Sequence, residues 1–211
     1  MSAPLSLSQV TFSNLLSQGW QVMKKNFGFL AGAFVITLLL GGLVSSASDA
    51  LVDSSDLLAV IFTFVINIGY IFISLGWFNV MLKAVRGQEL SLSNFTEKAH
   101  QIVPFIVASI LVWLIVTLGL IFLLIPGIYF GLKYQFVHYL IVDKELSAGE
   151  AMKASGQLTD GFKGKLFWYG LGFIGVNILG VLALGIGFLV TAPLTSLAYT
   201  VLYEALLEKL N

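Results

Sequence analysis

The chain has no cysteine in 211 residues, which excludes a disulfide framework, a thiolate metal site and a cysteine nucleophile. Charge is equally scarce. Only 10% of residues are charged, eleven basic against eleven acidic, where a soluble domain carries about 25%. So few charges cannot cover a water-facing surface, and a net charge of zero offers no polybasic face for nucleic acid. Two histidines, His100 and His138, lie far apart, so no metal constellation is expected. No GxSxG elbow, Walker loop, HExxH or dinucleotide glycine fingerprint occurs, and acids such as Glu145 and Glu150 belong to solvated faces. The expectation is a non-enzyme without cofactor. The first 23 residues hold no charged side chain, so the basic start of a cleavable signal peptide is missing.

What is present is apolar: 58% hydrophobic residues and a mean hydropathy of +0.95. Charge-free runs cover Asn26–Ser48 (23 residues), Leu57–Leu82 (26), Gln101–Leu132 (32) and Leu166–Tyr203 (38). A spanning helix needs about 20 apolar residues for a hydrocarbon core of about 30 Å. The first two runs each fit one crossing. The last would reach roughly 57 Å as one helix, so it must turn, and Thr191-Ala-Pro193 is the expected place. The third run continues through Lys133 to Val142 and is divided at Pro126-Gly127. Six spans follow, near 27–46, 58–82, 102–125, 127–142, 166–189 and 193–207. Helices are required, because backbone amides in lipid must be satisfied within the segment and no run alternates like a barrel strand. The fold class is therefore all-α, an integral membrane bundle forming a single domain over 1–211.

Six crossings place Lys24, Lys25, Lys83, Arg86, Lys98, Lys144, Lys153, Lys163, Lys165 and Lys209 on one side. The opposite side has one real loop, with Asp49, Asp53 and Asp56. This is a positive-inside pattern with both termini cytoplasmic, as in a multi-pass protein of a bacterial inner membrane. Only Lys133 is left inside the membrane.

Residues 11–25 form an amphipathic helix with Phe12, Leu15, Leu16, Trp20 and Met23 on one face. That face lies either in the headgroup plane or against the protein's own bundle. Ser147-Ala-Gly-Glu150 is a capping box, followed by an inner face of Ala148, Ala151, Met152, Ser155 and Leu158. A third short segment, Ser91–Gln101, starts similarly. Leu5-Ser6-Leu7-Ser8 recurs as Leu90-Ser91-Leu92-Ser93, and Glu89-Leu90-Ser91 as Glu145-Leu146-Ser147. The pattern reads as a threefold repeat of units near 5–82, 90–142 and 146–207, each a cytoplasmic amphipathic helix plus a transmembrane hairpin. Gly28-xxx-Gly32, Gly127-xxx-Gly131 and the glycines of the fifth span are small-residue faces for helix packing, or points at which a helix bends.

The fourth span is unusual, with Tyr129, Lys133, Tyr134, Gln135, His138 and Tyr139 within eleven residues. An ionisable group in the membrane is costly and marks a candidate site. One reading is a polar cavity lined by Lys133, Tyr134, His138 and Tyr129, with Asn67 and Asn177 as partners. The other is that Lys133 snorkels to the outer interface or to Asp49, Asp53 or Asp56, the tyrosines forming an aromatic belt. Thr195, Ser196 and Thr200 have an ordinary helix-bonding role. Glu204 is interfacial or paired with a lysine.

The last third, 126–207, resembles a family of bacterial integral membrane proteins of unknown function, related to the membrane domain attached to some glycerophosphodiester phosphodiesterases. The residues that carry this are Tyr129-Phe-Gly-Leu-Lys133-Tyr134, Tyr139-Leu-Ile-Val-Asp143, Glu150-Ala-Met-Lys-Ala-Ser155 with Gly161, Phe173-Ile-Gly, Leu184-Gly-Ile-Gly-Phe188, Ala192-Pro193 and Tyr203. The resemblance implies six helices and no assigned reaction, since the phosphodiesterase domain itself is absent. Two functions stand: a non-catalytic membrane component packing with itself as a homo-oligomer, with membrane lipids or with a membrane protein partner; or a small transporter, permease or flippase with a polar site on the fourth span.

Overall fold

The computed structural model describes residues 5–52, 57–183 and 185–210, all helix and connection, with no strand among them. The described residues form α-helices in this order: α1 Phe12–Lys25, α2 Phe27–Val52, α3 Leu57–Val85, α4 Ile102–Phe122, α5 Leu124–Tyr134, α6 Val137–Lys144, α7 Ala148–Thr159, α8 Lys163–Leu182 and α9 Phe188–Leu206. Among the described residues five segments are long and apolar enough to cross a membrane: Phe27–Asp49, Leu57–Val85, Leu92–Phe122, Lys163–Leu182 and Phe188–Lys209. Their outward faces carry exposed large apolar residues, among them Leu39, Phe64, Trp113, Ile121 and Leu179. Such faces suit lipid and not water. Of the outer aspartates expected from the sequence, Asp49 is exposed at the end of α2, while Asp53 and Asp56 lie outside the described residues.

Both long apolar runs turn a few residues away from their prolines. The α4–α5 hairpin reverses on Leu123 alone, at φ −162 and ψ 141. Pro126 falls in the first turn of α5, where a missing N–H costs nothing. What permits so tight a reversal is glycine: a Cβ on Gly119 would lie 2.9 Å from the Gly127 backbone. Likewise the chain reverses between α8 and α9 at Gly185 (φ +76), not at Thr191-Ala-Pro193. Pro193 is instead inside α9, a helix enclosed by α1, α3 and α8 whose packing outweighs one absent hydrogen bond.

The segment 127–142, read from the sequence as the fourth span, is not one helix. It belongs to two short ones, α5 and α6, interrupted at Gln135-Phe136. Eleven residues of α5 rise only about 16 Å, half of a hydrocarbon core. The interruption has a physical cause in α7. Ser155 Oγ donates to the Lys133 carbonyl (2.8 Å) and accepts from the Phe136 amide (3.3 Å). Thr159 Oγ1 reaches the same carbonyl at 3.4 Å. Backbone groups freed by the break are thus satisfied by side chains of a neighbouring helix, the condition under which a membrane protein tolerates an interrupted helix.

The amphipathic segments pack on the bundle. In α1, Leu15, Gly19 and Met23 are buried, and a Cβ on Gly19 would lie 3.0 Å from the Ala198 amide nitrogen of α9. Trp20 stays on the open side. In α7 the inner face is Ala148, Ala151, Ser155 and Leu158, as the sequence indicates, joined by Thr159. Segment Ser91–Gln101 holds two short 3-10 turns, Leu92–Phe95 and Ala99–Gln101. Three starts share one device: the side chain three residues on reaches back to the serine amide, Gln9 to Ser6 (3.3 Å), Asn94 to Ser91 (2.8 Å) and Glu150 to Ser147 (3.0 Å).

At the centre, α6 is enclosed, with Val137 and Leu140–Val142 buried among Leu75, Leu82, Phe105, Leu158, Leu202 and Leu206. The expected glycine faces divide. Gly127, Gly172, Gly180 and Gly187 sit against neighbours, whereas Gly28, Gly32, Gly131, Gly170 and Gly175 have nothing within 4 Å of a Cβ position among the described residues.

Candidate functional site

The break between α5 and α6 organises the polar interior. On its α7 side the backbone is satisfied, as described. On its other side the Gln135 side chain points toward α9, where its Oε1 accepts from the Tyr199 hydroxyl. One residue turn further, the Tyr139 and Thr200 hydroxyls meet at 3.0 Å. The Tyr139 ring stacks on Tyr203 (5.0 Å between centroids) and stands edge-on to Phe78 (4.8 Å). Phe136 packs on Tyr199 and Tyr203. The Gln135 Nε2, fully buried, has no acceptor among the described residues. A buried donor without a partner costs about 1–3 kcal/mol, and the Gln135 side chain that carries it stands at the edge of an open space.

A cleft of about 450 Å³ lies at that place, lined by Trp77 and Phe78 of α3, Gln135, Tyr139, Gly170, Phe173 and Ile174 of α8, and Thr195, Ser196 and Tyr199 of α9. Its floor is α9, which packs on both α3 and α8 and separates them. The walls are aromatic and apolar; the floor carries the hydroxyls of Thr195, Ser196 and Tyr199, and the Gln135 amide comes from the α5–α6 break. Ile174 on the rim is 57% exposed, so the cleft opens sideways at the apolar surface of the bundle.

The six residues singled out in the sequence do not share one cavity. Asn67 donates to the Thr63 carbonyl (2.8 Å) and to Ser48 Oγ (3.3 Å), tying α3 to α2. Asn177 donates to Thr195 Oγ1 at 3.0 Å, tying α8 to α9. His138 lies between Phe78 and Phe105 and meets Ser109 Oγ at 2.9 Å. Tyr134 stacks on Phe130, and the Lys133 ammonium lies 5.2 Å from the Tyr134 ring centroid. Tyr129 faces Lys163, whose ammonium is 5.2 Å from its ring. Lys133 itself packs against Gly156 of α7, beside Thr159. The next residue, Asp160, holds Lys163 through its carboxylate and Lys209 through its carbonyl. Lys133 therefore sits on the same side of α7 as Asp160, which gathers Lys163 and Lys209. The signal that could have placed it was Ser155 on the inner face of α7, a hydroxyl among apolar residues that requires a partner.

Gln135 and Tyr139 were visible in the sequence as part of the polar fourth span. Tyr199 and Tyr203 were not, because their partners lie some 60 residues away in the chain.

Beside the cleft, an ionic cluster joins the ends of α3, α6 and α9. Arg86 Nη1 lies 2.6 Å from Asp143, and its Nη2 and Nε each lie 2.8 Å from Glu204. Tyr203 donates to the other Asp143 oxygen at 3.0 Å. The Asp143 side chain is only 4% exposed. Burial works against the Arg86 charge, but Asp143 and Glu204 outweigh it and hold the guanidinium above its ordinary value. Glu204 is thus paired with an arginine and not with a lysine. Around this cluster Lys83 pairs with Glu97 (2.5 Å) and Lys98 with Glu145 (2.6 Å), and a polar cavity of about 130 Å³ is lined by Lys83, Glu97 and Lys98 with Arg86 and Asp143. The hydrogen bond from Lys98 holds the Glu145 carboxyl below its ordinary value.

Apolar spans, an interrupted helix whose backbone is satisfied by neighbouring hydroxyls, and a laterally open cleft define an all-helical multi-pass membrane protein. The model of a family described as a protein of unknown function (DUF975) matches residues 9–210, and the chain belongs to that family. The match extends well beyond the last third, on which the sequence resemblance rests. No curated protein and no solved structure matches the chain.

Proposed function

We propose that this chain is a non-catalytic component of a bacterial inner membrane that acts by packing with lipid or with a membrane partner through the cleft over α9. The observation that carries the reading is the cleft's opening: polar groups at its floor, aromatic walls, and a rim at Ile174 that faces the apolar surface. Both termini lie on the cytoplasmic side. The α4–α5 hairpin enters the membrane and returns, so the chain still makes six transits, the fourth by way of the interrupted α5 and α6. The matched serine starts at Ser6, Ser91 and Ser147 support descent from a repeated unit of surface segment plus hairpin. Kinship with the membrane domain attached to some glycerophosphodiester phosphodiesterases rests on residues 126–207 and brings no phosphodiesterase activity with it.

A transporter would need the same cleft to be wet. With no native cysteine, Ser196→Cys on the cleft floor supplies a unique thiol. In proteoliposomes a charged methanethiosulfonate added to both sides is expected to leave it unmodified, and to modify it once the chain is unfolded in sodium dodecyl sulfate. Ready modification by the charged reagent would overturn the packing reading and favour a water-filled transport path.

A further inference from the structure

We propose that a cavity at the α1–α2 junction binds the phosphoethanolamine headgroup of a membrane lipid, its phosphate at Lys25 and its ammonium at Glu89. The cavity shares no lining residue with the cleft over α9, so the inference goes beyond the proposed function.

Two sharp reversals build the cavity. Helix α1 passes into α2 on Asn26 alone, at φ −120 and ψ 21, with the Asn26 side-chain amide donating to the Val22 carbonyl (3.1 Å). This sets Lys24 and Lys25 beside Phe27 and Phe29 in the first turn of α2. Helix α3 is closed by Gly87 (φ +68), past which the Gln88 amide donates to the Lys83 carbonyl (2.9 Å). That turn carries Gln88 and Glu89 to the other wall, and about 600 Å³ lies between.

Charge indicates the occupant. Lys83, Arg86, Lys98 and Lys163 each have a carboxylate partner. Lys25 and Glu89 line one cavity, yet among the described residues neither forms an ion pair or a side-chain hydrogen bond. Lys24 has only the Trp20 ring, 5.9 Å from its ammonium. A cation and an anion that line one space without meeting are satisfied together by a zwitterion that has N–H donors. A lone phosphate would be repelled by Glu89, and a lone amine by the two lysines.

Depth indicates the source. Lys25 stands two residues before the Phe27–Asp49 span, and Glu89 four residues after the Leu57–Val85 span. Basic residues at the ends of spans stand among lipid headgroups. Exposed Phe27 opens the apolar outer surface of α2, continued by Ile36, Leu39 and Leu43, along which acyl chains can run. A soluble phosphoethanolamine ester carries the same charges but makes no use of that surface.

The test is native mass spectrometry of the full chain released from detergent micelles holding equal amounts of phosphatidylethanolamine and phosphatidylcholine with identical chains. Both lipids are zwitterions, but the choline ammonium has no N–H to donate. The wild-type chain is expected to retain phosphatidylethanolamine about 2- to 5-fold over phosphatidylcholine, the ratio one exposed ion pair supplies. Glu89→Ala is expected to bring that ratio to about one, and Lys25→Gln to lower retention of both lipids. Both side chains are exposed, so neither substitution disturbs the core. Equal retention of the two lipids by the wild-type chain overturns the proposal, as does a preference that survives Glu89→Ala. Displacement of the bound lipid by an equal concentration of glycerophosphoethanolamine overturns the lipid as the source of the headgroup.

Discussion

Arg86→Met is expected to destabilise the chain by about 3 kcal/mol. The substitution leaves Asp143, 4% exposed, and Glu204, 19% exposed, facing each other without the cation that separates them. Removing one partner from a buried pair costs about 3–5 kcal/mol, because the remaining charge is uncompensated. The lower end applies here, since the Arg86 side chain is 34% exposed and water reaches one edge of it. Charge removal on all three positions should recover most of the loss. Arg86→Met combined with Asp143→Asn and Glu204→Gln leaves no buried ion, and isosteric replacement of a whole buried cluster is often close to neutral. Unfolding of the purified chain in mixed micelles, followed by tryptophan fluorescence against denaturant, measures both. A single variant as stable as wild type would mean that the cluster is solvated and ties nothing together. A triple variant as unstable as the single one would place the effect in shape and not in charge.

Tyr203→Ala should cost more, about 3–5 kcal/mol, and the loss should divide unequally. The Tyr203 side chain is fully buried, stacked on Tyr139 and packed on Phe136. Truncating a large buried aromatic forfeits its transfer free energy and leaves a cavity that the surrounding helices fill only in part. Tyr203→Phe keeps the ring and deletes only the bond to Asp143, a hydrogen bond to a charged acceptor, so about 1.5–2 kcal/mol is expected. Comparing the two by the same denaturant titration separates packing from hydrogen bonding. Equal losses would show that Tyr203 serves mainly as a donor to Asp143.

Both residues illustrate what could be read from the sequence. Spans were legible because charge is so rare that its gaps measure membrane thickness directly, and five of the segments so marked are long, apolar helices. The inner face of α7 was legible from helical period, and that of α1 at Leu15 and Met23 but not at Trp20, which is exposed, or Gly19, which is buried. Their partner was not, since amphipathicity states that a face is covered without saying by what. Turns were misplaced at Pro126 and Pro193 because proline is tolerated in the first turn of a helix and inside an enclosed one, while the actual reversals need close glycine contact at Gly119–Gly127 and Gly180–Gly187. The contacts of Lys133 with α7 were not legible for a related reason. A continuous apolar run looks like a continuous helix, and the interruption at Gln135 depends on Ser155 and Thr159, some 20 residues onward. Arg86, Asp143 and Glu204 were each visible as a charge near a span end, but their convergence is tertiary.

The α5–α6 break links these observations to function. It turns Gln135 toward α9, sets Tyr139 against Thr200, and leaves a cleft whose floor is polar within an apolar surface. Whether lipid fills that cleft is measured most directly by an experimental structure of the full chain in lipid nanodiscs. The account predicts elongated density continuous with the bilayer, entering past Ile174 between α3 and α8 and ending over α9. A file of water reaching Gln135 from the aqueous side, or α3 and α8 closed over α9 with no room between Trp77 and Ile174, would contradict it.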